Sequence, residues 1–109
     1  MINEKILASL RQELNEQTAQ MRWSELERFF AGGNLISVAP ELDLIDVAAR
    51  IAADDKGSVI EWMNAGLLYK TTDEQAGDWG GQDALIWTVV VKPWILVQRE
   101  RKLPSATSQ

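Results

Sequence analysis

The sequence contains no cysteine and no histidine. The first absence excludes disulfides, thiolate nucleophiles, iron–sulfur clusters and cysteine zinc sites, and it leaves the redox compartment unmarked. The second removes the usual general base near neutral pH and the commonest transition-metal ligand, so Ser-His and Cys-His mechanisms are closed to this chain. Any chemistry would fall to carboxylates, lysine, serine or tyrosine. No segment approaches the uncharged apolar length that a membrane helix needs, and Met1-Ile2-Asn3-Glu4-Lys5-Ile6 places charge where a secretory leader carries its apolar region. A cytoplasmic location is therefore expected.

Positive charge is also short, and unevenly spread. The formal net charge is −5, but residues 41–83 hold ten acids against Arg50, Lys56 and Lys70, a local −7, whereas residues 92–109 carry +3. An acidic middle repels phosphate backbones and anionic membrane surfaces, which disfavours nucleic acid and membrane as partners. At 109 residues the chain is expected to form one domain over residues 1–100, with Arg101–Gln109 as a polar, flexible tail.

One long apolar run is present, Leu85-Ile86-Trp87-Thr88-Val89-Val90-Val91-Lys92-Pro93-Trp94-Ile95-Leu96-Val97-Gln98. β-Branched and aromatic residues favour extended backbone, and apolar residues on both alternating faces require cover on both sides. Fully extended, these fourteen residues would span roughly 46 Å at about 3.3 Å each, against a diameter of about 35 Å for a globule of this length. The ribbon must bend at Pro93 or overhang. An overhang would lay Trp94 to Val97 on a second copy of the chain, a homodimer.

The upstream chain reads as cover for that ribbon. Ile6, Leu7, Leu10, Leu14 and Met21 form one stripe of an amphipathic helix over about Asn3–Gln20. Ser24-Glu25-Leu26-Glu27 has the capping-box pattern and opens a helix that Gly32-Gly33 closes. Leu35–Val38 is a candidate strand, and Asp43 a cap for a helix through Ala53 with Leu44, Val47, Ala48 and Ile51 on one face. Ser58 can cap a shorter helix carrying Val59, Ile60, Trp62 and Met63, closed at Gly66. Leu67–Lys70 reads as a strand. Thr72-Asp73-Glu74-Gln75 repeats the capping pattern, for one or two turns through Ala76 and Trp79 before Gly80-Gly81.

This order implies an α+β domain with a winged-helix-like core: helices on a small, mostly antiparallel sheet, plus an extra N-terminal helix. A DNA-reading helix over Ser58–Ala65 would present only Lys56, Ser58, Glu61 and Asn64, with Asp54 and Asp55 opposing phosphate at its entrance. The acids at Asp43, Asp46, Asp54, Asp55, Asp78 and Asp83 match no calcium-loop spacing and are explained as caps and solvated faces. Of the five tryptophans, Trp23, Trp62 and Trp87 sit in apolar periodicity and read as core. Trp79 lies between glycines and acids, and Trp94 follows Pro93, so these two are expected to be partly exposed.

Trp23-Ser24-Glu25-Leu26 with Phe29-Phe30, Leu42-Asp43-Leu44 through Val47-Ala48, Asp54-Asp55, Trp62-Met63 with Gly66, Ala76 with Trp79, and above all Val90-Val91-Lys92-Pro93-Trp94-Ile95-Leu96-Val97-Gln98 together resemble a family of small bacterial proteins known as a domain of unknown function, number 2288. The resemblance covers about residues 3–99 and implies a free-standing bacterial cytosolic protein. It brings no activity, substrate or catalytic residue.

Three function classes follow in order. The first is a non-catalytic protein-interaction or scaffold module whose partner is a second copy of the chain or another protein, with Trp94, Ile95, Leu96, Val97 and Trp79 as the interaction surface. The second is a nucleic-acid-associated regulator using Arg99, Arg101 and Lys102. The third is a small-ligand binder or carboxylate enzyme built from Asp43, Asp46, Asp78 or Asp83 with Trp79. None calls for a metal or cofactor.

Overall fold

The computed structural model describes residues 3–100; the expected tail, with Arg101 and Lys102, lies outside the described residues. In chain order the elements are α1 (Glu4–Gln17), β1 (Ala19–Arg22), α2 (Trp23–Ala31), β2 (Leu35–Val38) and α3 (Leu44–Ala52). They continue with α4 (Lys56–Asn64), β3 (Leu68–Lys70), α5 (Asp73–Gly81), β4 (Leu85–Val91) and β5 (Trp94–Gln98). The class is α+β, as expected. The strands form one sheet in the order β1-β4-β5-β2-β3, antiparallel except at β2 and β5, which run parallel.

The apolar ribbon does not overhang. It folds at Lys92-Pro93 into a tight hairpin in which Val91 pairs with Trp94 and Val89 with Leu96, and Asn34 Nδ2 donates to the Pro93 carbonyl at the turn. No overhang is left to lie on a second copy of the chain, because the second half of the ribbon pairs with the first.

Both faces of the sheet are covered, as the two-faced ribbon requires. Trp87, Val89, Val91 and Leu96 point to the side of α1, α3 and α4, where Leu7, Leu14, Leu44, Val47 and Ala48 close the larger core. Ile86, Ile95 and Val97 point to the other side, where α2 and α5 bring Trp23, Leu26 and Trp79. Helices on both faces and a parallel central pair differ from the expected winged-helix arrangement, although α3 and α4 do form a helix-turn-helix.

Local chemistry explains most boundaries. Asp43 caps α3 through the Ile45 N–H, Gly66 closes α4 at φ 76°, and Thr72 and Gln75 make both halves of a capping box on α5. The Ser24 box is not formed: the N-cap of α2 is Arg22, two residues earlier, and the Ser24 N–H donates instead to Asp83 Oδ1 at 2.9 Å, from 59 residues away. α5 runs through Gly80 to Gly81, longer than expected, because Gly80 lies against Trp23. A Cβ there would stand 3.1 Å from the indole, so glycine lets the two helices approach.

Candidate functional site

The side chains expected to form an interaction surface are mostly interior. Ile95, Leu96 and Val97 are buried because β5 is a central strand flanked by β4 and β2. Trp79 is only 6% exposed; its ring meets Trp23 edge-on with centroids 6.0 Å apart. The polar neighbours of Trp79 in sequence face out of α5 while the indole faces in. Of the five residues only Trp94 stays half-buried, at the start of β5.

The carboxylates of the third class are also dispersed. Asp43 is spent on its cap, and Asp46 pairs with Arg11 and, at 3.6 Å, with Arg50. Asp83 holds the start of α2 and lies 3.9 Å from Arg22. Asp43 and Asp46 belong to the α3 side of the sheet, whereas Asp78 lies on α5 and Asp83 just after it, on the opposite side, so the four do not converge on Trp79. Among the described residues no cluster of three acids could hold a metal ion.

What the structure brings together around Trp94 is an apolar cleft of about 360 Å³, between α4 and the sheet. Ile36, Leu68 and Trp94 make its floor from β2, β3 and β5, and Ile51 closes it on the α3 side. Its outer wall is α4, a helix with no buried residue. Val59 and Trp62 lean on the core, while Ile60 and Met63 are 55% and 57% exposed. Asp54, Asp55, Lys56, Tyr69 and Lys70 complete the lining. A broader depression of about 850 Å³ beside α2 adds Glu25 and Glu27 to its lining, and its apolar floor at Leu26 and Ile95 is already buried.

The α3–α4 corner fixes the cleft. Asp54 takes the left-handed conformation, φ 62°, where the chain would favour glycine. Asp55 then caps α4, accepting from Ser58 N at 3.3 Å and Ser58 Oγ at 2.8 Å, and pairs with Arg50 Nη1 at 2.8 Å. The hydrogen bond from Arg50, followed by those from Ser58, holds the Asp55 carboxyl below the ordinary aspartate range. Because its folded pKa lies below the unfolded one, the stabilisation is complete above about pH 4 and is lost as pH falls through the folded value. A carboxyl carbon-13 titration should therefore give Asp55 a midpoint below about 3.9, returning toward that value in Arg50→Gln. An ordinary midpoint in the unaltered chain would refute this account of the corner.

Comparison with known proteins agrees with the fold. A family model described as "Protein of unknown function (DUF2288)" matches residues 9–99. The NMR solution structure of PA1075 from Pseudomonas aeruginosa is 36% identical and superposes with a TM-score of 0.74, covering 100% of this chain and 98% of that one. No curated protein matches.

Proposed function

The chain belongs to the DUF2288 family, and from that premise we propose that it is a non-catalytic binding module that accepts an apolar group of another molecule in the cleft beneath α4. The observation that supports this reading is the pair Ile60 and Met63. Both are large, more than half exposed, and carried on a helix that buries nothing completely. The fold gains little from keeping them apolar. Together with Trp94 they form a concave apolar surface, and its size falls within the ~300–1,000 Å³ typical of small-ligand pockets.

The double substitution Ile60→Glu with Met63→Glu tests it. Exposed positions of this kind should leave unfolding stability within about 0.5 kcal/mol per site, while 1:1 binding of an apolar fluorescent probe such as anilinonaphthalene sulfonate should disappear. Probe binding that survives would place the surface elsewhere. A collapse of stability would make the two residues packing.

A second copy of the chain is the second reading, favoured by the same exposed pair, which lies outside the cleft floor where an opposing surface could cover it. Light scattering at two concentrations reads it directly: a dimer that the double substitution dissociates supports it, and a monomer at both concentrations dismisses it.

A further inference from the structure

We propose that α4 is a movable wall of the cleft: it comes away from the sheet at Asp54 and Gly66 while the rest of the domain stays folded, and this opening is what admits an apolar group. The inference rests on the reading that the cleft is a binding surface, and it concerns how that surface is reached. Each of the other four helices buries at least one side chain, Leu7 on α1, Leu26 on α2, Val47 on α3 and Trp79 on α5. α4 buries none. Its hold on the body is the partial packing of Val59 and Trp62 and the Asp55 cap, which Arg50 ties to α3. Among the described residues no hydrogen bond or ion pair joins an α4 side chain to the sheet. Beneath the helix lies the cleft in place of a packed core, so lifting it breaks few contacts.

Both ends of α4 are built to turn. Asp54, at φ 62°, stands just before its cap, and Gly66, at φ 76°, just after its last turn. A left-handed residue ends the helical ladder, so neither α3 nor β3 runs rigidly into α4. A Cβ on Gly66 would meet nothing within 4 Å, so no neighbour packs on that pivot. Gly57 weakens the first turn of the helix, and no neighbour requires it, since a Cβ there would find only Asp55 Oδ1, at 3.9 Å. At nine residues α4 is too short to stay helical off the body. Each opening therefore frees its backbone N–H groups to exchange with solvent.

Native-state amide exchange of the full chain, followed by NMR in a urea series below the unfolding midpoint, reads this opening. The amides to follow are Val59, Ala65 and Leu67, which donate to the carbonyls of Asp55, Glu61 and Trp62. Their protection should be at least about tenfold below that of β4 and β5 and nearly independent of urea, because the opening exposes little surface. Saturating anilinonaphthalene sulfonate should raise it. Gly57→Ala should slow exchange at these amides by about two- to fivefold, and stopped-flow association of the probe should slow by the same factor.

Exchange in α4 that follows the urea dependence of β4 and β5 would overturn the proposal, because α4 would then open only with the whole fold. An association rate that Gly57→Ala leaves unchanged while α4 exchange slows would overturn the gating role and make the cleft accessible as it stands. Separate opening of α4 with no binding of the probe would instead overturn the reading of the cleft as a binding surface, leaving the opening as a property of the fold.

Discussion

Trp79→Ala is expected to cost the fold about 3–5 kcal/mol, read as a fall in the urea midpoint with an unchanged slope. Trp79 and Trp23 are the two largest side chains of the smaller core, and the Trp79 indole fills the space between α5 and Trp23. Removing it leaves a cavity that cannot collapse, because Gly80 already brings the α5 backbone against Trp23 with no side chain to fill the gap. Such a loss is a large fraction of the ~5–15 kcal/mol by which a domain is ordinarily stable. Trp94→Ala makes the contrast. Its indole is half-buried at the cleft, so the same change there should cost about 1–2 kcal/mol. Equal losses at the two positions would contradict the assignment of one tryptophan to the core and the other to a surface.

The second large effect concerns Gln98, which is 1% exposed. Its Nε2 donates to the carbonyls of Ala39 and Leu42, each at 2.8 Å, and so ties the end of β5 to the loop that leads into α3. Its Oε1 is buried without a partner among the described residues. Gln98→Leu would orphan the Leu42 carbonyl, at about 1–3 kcal/mol, whereas the Ala39 carbonyl keeps the Leu42 N–H; with the unpaired oxygen also removed, the net loss is about 1–2 kcal/mol.

Gln98→Glu adds a pH signature. A carboxylate among carbonyl oxygens is disfavoured, whereas the protonated acid can still donate to one of them. The folded pKa of the new group is thus raised above its unfolded value of about 4.3. Its stability contribution is fully present below that value and is lost as pH rises through the folded pKa. Relative to the unaltered chain, the variant should lose about 3–5 kcal/mol at pH 7 and much less at pH 4. A penalty that is the same at both pH values would show that Gln98 does not hold those two carbonyls.

Where the sequence and the structure agree, the deciding interactions are local. The Thr72–Gln75 box, the Asp43 cap and the left-handed turn at Gly66 involve residues within a few positions of one another, and each forms as its spacing implies. The Ser24 box fails because Asp83, remote in sequence, offers a carboxylate to the same N–H. β1 carries no alternation to find: three of its four residues are exposed, since it is an edge strand whose polar side chains face water.

The ribbon's demand for two-sided cover was legible in its composition. The parallel pairing of β2 with β5 was not, because register between distant strands is set by the assembled core.

The cleft had a signal that pattern reading can miss. At about 100° per residue, Val59, Ile60, Trp62 and Met63 spread over roughly 160° of α4, wider than a short helix needs to lie on one core. Trp62 and Val59 occupy one side of that arc and reach the core, while Met63 and Ile60 occupy the other and are left at the cleft. An apolar arc wider than its packing partner is thus a mark of a surface as well as of a core, and only the neighbouring strands reveal where one becomes the other.

The strand order has a consequence for how the domain is made. β5, the last strand of the described chain, is the middle of the sheet, and it joins the β1-β4 side to the β2-β3 side. A chain synthesised from its N-terminus therefore exposes five helices and two short strand pieces on each side before the segment that unites them has been polymerised. β2 and β3 can pair early, but neither helical layer has a sheet to cover until residues 94–98 arrive. The domain is thus expected to fold only once residues 94–98 have been made, and in one step, with the slow formation typical of pairings between distant segments. A nascent chain stalled before Trp94 would be protease-sensitive throughout, and release of five further residues would close the whole molecule at once.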